Sequence, residues 1–169
     1  MPFSLIPKLI LPSLTDVTPE LLSARGVRFL MLDFDNTIVP YTTNEPAEAM
    51  AAWLRRMQAS EIRLCVVSNS HKPRVVEFCG KYGLDCITHA KKPFQRGIRE
   101  CLARFSLDPA ECALAGDQIY TDVLGANCAG MTSILVSAIH NHTIWLKLRH
   151  VAELPFIAIG RRKIKHEKH

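Results

Sequence analysis

Leu30-Met31-Leu32-Asp33-Phe34-Asp35-Asn36-Thr37 is an apolar run that ends in two carboxylates one residue apart and then a hydroxyl. Residues 28–34 read as a short, fully buried strand, because an apolar run of this length with a basic start and an Asp-Asn-Thr turn after it suits the interior of a parallel sheet. Asp33 then sits at the carboxyl end of that strand, the edge of an open α/β sheet where ligands bind. Strand alternation sends Asp33 and Asp35 toward one face, and the end of the strand lets them diverge around a shared point. Either arrangement holds two anions close together, and such a pair calls for a cation, a shared proton or both. A plain Asx-type turn, with Asp35 or Asn36 bonded to local backbone, is the alternative for these residues taken alone.

Downstream the chain alternates. Met50, Trp53, Leu54 and Met57 fall at helical spacing and predict a helix over 45–58, with Pro46 near its start. A buried strand over 62–67 ends in the polar loop Ser68-Asn69-Ser70. Val75, Val76, Phe78 and Cys79 predict a helix over 74–82 that stops at Gly83. A short strand is expected over 86–88. An amphipathic helix over 94–105 is expected, with Phe94, Ile98, Cys101, Leu102 and Phe105 on one side. A strand over 112–115 stopped by Gly116-Asp117, a helix over 122–129 ended by Gly130, and a fifth strand over 132–136 complete the pattern. This predicts an α/β three-layer sandwich, in which a five-stranded, mostly parallel sheet with right-handed crossovers lies between helices. Asp33, Ser68 and Asp117 each follow a different buried strand, so a parallel sheet brings all three to one edge.

The 169 residues suit one domain with a substantial core. Its expected parts are an apolar N-terminal arm (1–27), a core (28–136) and a C-terminal extension (137–169) with a basic tail. The six cysteines, Cys65, Cys79, Cys86, Cys101, Cys112 and Cys128, form no C-x-x-C pair and read as reduced core residues. None is followed six positions later by Arg, which argues against a phosphocysteine phosphatase. His140 and His142 stand in no zinc-ligand spacing.

Of the net charge of +5, +4 falls on 160–169, where Arg161, Arg162, Lys163, Lys165 and Lys168 face Glu167 alone. Such a tail reads as a solvated end, or as a contact for anionic lipid or RNA. Pro2, Pro7 and Pro12 break the apolar N-terminus, which is too short to span a bilayer and has no charged region before it. The segment reads either as an arm packed back on the domain or as a peripheral membrane contact. The expected location is the cytoplasm, with the inner membrane face as an option.

Taken in order, Asp33 and Asp35, Ser68, Lys91-Lys92 before Pro93, and Gly116-Asp117 with Asp122 resemble the four short motifs of the haloacid dehalogenase (HAD) superfamily over 28–136. The resemblance implies a HAD-like, Rossmannoid phosphatase acting through an aspartyl-phosphate. Asp33 would be the nucleophile, and Asp35 the general acid, its pKa raised by the neighbouring carboxylates. Asp33, Asp117 and the backbone carbonyl of Asp35 would hold Mg²⁺. Ser68 and Asn69 would contact the phosphoryl group, and a lysine would neutralise its charge. Lys92, directly before the proline, is preferred to Lys91. Asp122 would orient the lysine or the metal shell, with Thr37 in support.

The intervals 35–68 and 68–92 leave no room for the cap domain common in the superfamily, so the implied site is open and suits a bulky substrate. A longer likeness, through Asp33-Phe34-Asp35-Asn36-Thr37-Ile38-Val39-Pro40, Ala90-Lys91-Lys92-Pro93 and Gly116-Asp117-Gln118 with Thr121-Asp122-Val123-Leu124-Gly125, is to the YqeG-like subfamily IIIA group. That group is similar to phosphatidylglycerophosphate phosphatases, which implies a phospholipid head group as substrate and phospholipid biosynthesis as setting. A soluble sugar phosphate, nucleotide or phosphoprotein is the alternative substrate. An RNA- or ribosome-associated module using the basic tail is the alternative of another class, and the intact Asp33, Asp35 and Asp117 speak against it.

Overall fold

The computed structural model describes residues 3–139 and 155–159. Its strands are β1 (Leu9–Leu11), β2 (Phe29–Leu32), β3 (Arg63–Val67), β4 (Asp85–Ile87), β5 (Cys112–Gly116) and β6 (Thr132–Val136). They form one six-stranded sheet in the order β1-β6-β5-β2-β3-β4, with every pairing parallel. Helices α1 (Pro19–Ser23), α2 (Glu48–Gln58), α3 (Pro73–Tyr82), α4 (Arg96–Arg104) and α5 (Leu124–Ala129) make the connections.

The sheet has six strands rather than the expected five because part of the N-terminal arm is itself a strand. Leu9, Ile10 and Leu11 pair with Ile134, Leu135 and Val136 at the sheet edge. Pro7 and Pro12 bracket this triplet, and an edge position tolerates such neighbours because only one side of the strand is paired. Lys8 fastens the entry: its backbone N–H donates to Ser133 Oγ at 3.0 Å and its Nζ to the Met131 carbonyl at 2.7 Å. The arm therefore packs back on the sheet here.

Strand alternation divides the core into two layers. Leu30, Leu32, Val66 and Ala115 face α2 and α3, packing with Trp53, Leu54 and Phe78. Phe29, Met31, Cys65 and Leu114 face the other way, toward Ile98 and Cys101 of α4 and Ala126 of α5. Central strands buried on both faces are what a near-continuous apolar run produces in a parallel sheet. Trp53 satisfies its indole N–H by donating to the Val17 carbonyl at 2.7 Å, which ties the arm to α2. All six thiols are free, and burial lifts Cys112 to about 12.

Phe94 departs from the expected pattern. Helix α4 begins at Arg96, so Phe94 lies ahead of its first turn, outside the helical repeat, and is 75% exposed. The expected helix start at 122 is likewise displaced, with a wide helical turn over Ile119–Val123 preceding α5. Between β2 and β3 stand only α2 and the loop 33–47, and between β3 and α4 only α3 and β4. Among the described residues no helix is long and apolar enough to cross a membrane. The basic tail, with its lipid and RNA options, and His140 and His142 lie outside the described residues.

Candidate active site

Asp33 extends β2 by one step, its N–H donating to the Ala115 carbonyl at 2.9 Å. The chain then curls. Ile38 N–H returns to the Phe34 carbonyl at 3.0 Å, Asn36 N–H bonds the Val39 carbonyl at 2.7 Å, and Asn36 takes φ +65°, a left-handed conformation that asparagine tolerates better than most residues. The curl brings Thr37 back under Asp33. The Thr37 hydroxyl lies 3.3 Å from Asp33 Oδ2 and 3.4 Å from Asp117 Oδ1, so it can donate to either carboxylate. Asn36 Nδ2 reaches Asp117 Oδ2 at 3.5 Å.

Asp117 follows β5, and Asp122 lies one wide turn later. One carboxylate oxygen each from Asp33, Asp117 and Asp122 lies within 4.8 Å of the others, and all three residues are buried. The balancing cation is Lys92, 4% exposed, whose Nζ stands 2.7 Å from Asp33 Oδ1 and 2.8 Å from Asp122 Oδ1. Burial alone would discharge this ammonium, but Asp122 and Asp33 outweigh burial and raise its pKa. Burial lifts the Asp122 carboxyl to about 6, with Lys92 the main opposing charge. Lys91 is exposed, so Lys92 is the lysine that reaches the carboxylates.

Asn69, expected at the phosphate, is engaged elsewhere. Its Nδ2 donates to the Lys92 carbonyl at 2.9 Å and its Oδ1 accepts the Lys92 N–H at 2.6 Å. Both ends of the amide thus clamp the lysine's main chain. Ser68 is buried after β3; its Oγ accepts the Ser70 N–H at 3.1 Å, and its own hydroxyl proton remains a donor.

Asp35 stands apart from the buried trio and half-buried, with Arg74 Nη2 at 3.5 Å from its Oδ1. Its pKa is raised. Burial is the largest cause, Arg74 opposes it, and the Asp33 charge adds a smaller upward push. The neighbouring carboxylates expected to drive this shift therefore rank behind desolvation.

Gly116 completes the arrangement. A Cβ there would overlap the Asp122 carboxylate, which lies against the glycine backbone and accepts the Gln118 N–H at 3.1 Å. Gly116→Ala must push Asp122 away from Lys92. The expected result is a loss of about 1–3 kcal/mol of stability, the usual scale of overpacking, and at least about a tenfold fall in kcat/KM. Urea unfolding and steady-state kinetics on the same preparation check both, and a wild-type-like variant would show that Asp122 can move freely.

Over 131 residues the chain is 31% identical to the probable phosphatase YqeG of Bacillus subtilis, spanning 78% of this chain and 76% of that protein. This chain belongs to the haloacid dehalogenase-like hydrolases, as a HAD-type phosphatase of the YqeG group. The HAD-hydrolase-like family model matches residues 89–144, which include Lys92, Asp117 and Asp122. HAD folds also match in solved structures. The 3-deoxy-D-manno-octulosonate 8-phosphate phosphatase of Yersinia pestis aligns with a TM-score of 0.54 at 15% identity, covering 88% of this chain and 90% of that one. The cobalt-bound deoxy-D-mannose-octulosonate 8-phosphate phosphatase of Haemophilus influenzae gives 0.54 at 12% identity, covering 74% and 75%. At these identities the likeness is one of fold. For a HAD phosphatase the oxygen donors of Asp33 and Asp117 are chemically suited to a hard divalent cation, and Asp122, the third acid of the cluster, is turned to Lys92.

Arg74 is the site residue that sequence reasoning missed. A signal existed, since a cation in the first turn of a helix opposes the helix dipole and calls for another reason to be there.

Proposed function

We propose that the protein is a Mg²⁺-dependent phosphomonoesterase that works through an aspartyl-phosphate on Asp33 and acts on phosphatidylglycerophosphate to give phosphatidylglycerol. The observation that carries the chemistry is the buried Asp33 carboxylate held at 2.7 Å by a buried ammonium beside two further acids. An Asp33 oxygen attacks phosphorus, the bond from phosphorus to the alcohol oxygen breaks, and that oxygen takes the proton of Asp35. Water then attacks the phosphorus of the acyl phosphate, gives its proton back to Asp35, and frees phosphate and Asp33.

Lys92 balances charge on the transferring group, and the Ser68 hydroxyl donates to one of its oxygens. Thr37 keeps Asp33 and Asp117 in register, Asn69 holds Lys92, and Asp122 orients its ammonium. Asp33, Asp117 and the Asp35 carbonyl would hold Mg²⁺, which supplies electrostatic shielding between an anionic ester and an anionic nucleophile. Burial helps keep Asp35 protonated, as a general acid requires.

Support for the lipid substrate comes from the likeness to the YqeG group and from the short intervals around the site, which hold no lid element among the described residues. Phe94, two residues after Lys92 in the chain, leaves a large apolar side chain exposed to solvent, which suits contact with a lipid. Phosphate release from phosphatidylglycerophosphate in mixed micelles with Mg²⁺, beside p-nitrophenyl phosphate, tests the substrate. The expected result is a kcat/KM for the lipid about tenfold or more above the generic ester, the scale of about 1.4 kcal/mol of added transition-state binding. Turnover of the generic ester alone would reject the lipid and keep the chemistry.

A further inference from the structure

Arg74 is largely buried, and its guanidinium is fastened on several sides. Nη1 donates to the Tyr41 carbonyl at 2.9 Å and Nη2 to the Pro40 carbonyl at 3.0 Å. The guanidinium carbon lies 5.2 Å from the centroid of the Phe34 ring, a cation–π distance. Nη2 also lies 3.5 Å from Asp35 Oδ1, and Nε is buried without a hydrogen-bond partner among the described residues. These contacts all fall on residues 34–41, the segment that carries Asp35 away from β2. A planar guanidinium can bridge two carbonyls and a carboxylate at once, and a lysine ammonium in its place cannot match that fork.

Resting on the reading of Asp35 as general acid, we infer that Arg74 is the positioning residue that fixes Asp35 as the proton donor. With Nη2 nearest Oδ1 at 3.5 Å, Oδ2 is the oxygen left to carry the transferable proton. As the bond between phosphorus and the leaving oxygen breaks, its electron pair stays on that oxygen, which takes the Oδ2 proton. The carboxylate left behind is formed next to the Arg74 cation. Lys72, Lys92 and Asp33 also act on Asp35 through their charges, and Arg74 is the cation within ion-pair distance among the described residues.

A role confined to tying residues 40–41 to α3 would affect every substrate alike, whereas a role in proton donation depends on the leaving group. The test compares kcat/KM for p-nitrophenyl phosphate, whose phenolate departs without a proton, with that for sn-glycerol 3-phosphate, whose alkoxide needs one. Full-length protein with Mg²⁺ is used for the wild type, Arg74→Met, Arg74→Lys and Asp35→Asn. Arg74→Met is expected to lower kcat/KM for the alkyl ester by about 10–100-fold and for the aryl ester by less than about threefold, in line with the worth of a placed general acid. Arg74→Lys retains charge without the fork and is expected to shift the ratio of the two esters in the same direction.

Equal losses on both esters, or a ratio unchanged in Arg74→Lys, would overturn the inference and leave Arg74 as a tie or a substrate anchor. Asp35→Asn separates the role of Asp35 from that of Arg74. If it shows no dependence on leaving group, the acid assignment itself fails. If it shows one and the Arg74 variants do not, the role of Arg74 alone is rejected. Should Arg74→Met fail to fold by circular dichroism, the Arg74→Lys ratio decides.

Discussion

Asp33→Asn is expected to abolish phosphate release, by about 10³-fold or more, while leaving the metal-free protein at least as stable as the wild type. The kinetic half follows from the proposed role of Asp33 as the attacking carboxylate, without which only binding and positioning remain. The stability half follows from charge. Asp33, Asp117 and Asp122 crowd three acidic groups within 4.8 Å, and Lys92 is the ammonium paired with two of them. Replacing one anion by a neutral amide of the same shape relieves like-charge repulsion, and Lys92 keeps Asp122 as its partner. Functional sites commonly hold such destabilising arrangements. Urea unfolding in EDTA, with Mg²⁺-dependent kinetics on the same sample, checks both halves. A variant clearly less stable than the wild type would mean that the Lys92 pair outweighs the repulsion.

Lys92→Met acts on both properties in one direction. Its ammonium neutralises two buried carboxylates, and removing one partner of a buried pair leaves uncompensated charge, a loss of about 3–5 kcal/mol. Activity is expected to fall by about 10²-fold or more, because the charge proposed to balance the transferring group goes with it. The defect should depend on pH. The Asp122 carboxyl, lifted to about 6 by burial, binds its proton more tightly in the folded chain than in the unfolded one. Its contribution to stability is therefore fully present below the unfolded carboxylate pKa of about 3.9 and is lost as pH rises through about 6. Without Lys92 the Gln118 N–H, a smaller opposing influence, is left against that upward shift among the described residues, so the fall in stability with rising pH should steepen and extend to higher pH. Unfolding free energies from pH 4 to 8 in EDTA would show this, and parallel curves for variant and wild type would contradict the ion pair.

What the sequence discloses of this molecule depends on how local the deciding physics is. The apolar run into Asp33 reads correctly because burial on both faces of a central strand leaves an almost uninterrupted signature, and the strand-end rule then gathers Asp33, Ser68 and Asp117 at one edge. Strand β1 escapes because three residues between prolines carry no periodicity, and their partner, β6, lies over a hundred residues away. Phe94 misleads for a related reason: helical spacing extends past the true start of α4, and a residue just before the first turn need not face the core.

Within the candidate site, type and spacing in the sequence single out Asp33, Lys92, Asp117 and Asp122, which the fold brings together, yet the contacts each one makes are set by distance. Asn69 has the composition of a phosphate contact and is spent on the Lys92 backbone. Arg74 lies 39 positions from Asp35, so the contact between them exists only in the fold. Desolvation is also a property of the folded chain, which is why burial and not the neighbouring carboxylates proves the leading cause of the Asp35 shift.

The central claim is that phosphate passes through Asp33. Its most direct test is acid quenching of wild-type protein during turnover of p-nitrophenyl phosphate with Mg²⁺, followed by peptide mass spectrometry across residues 28–40. The account predicts a phosphorylated peptide with the group on Asp33, present in the wild type and missing from Asp33→Asn. Phosphate on Asp35, or an Asp33→Asn protein that still turns over the ester, would contradict it.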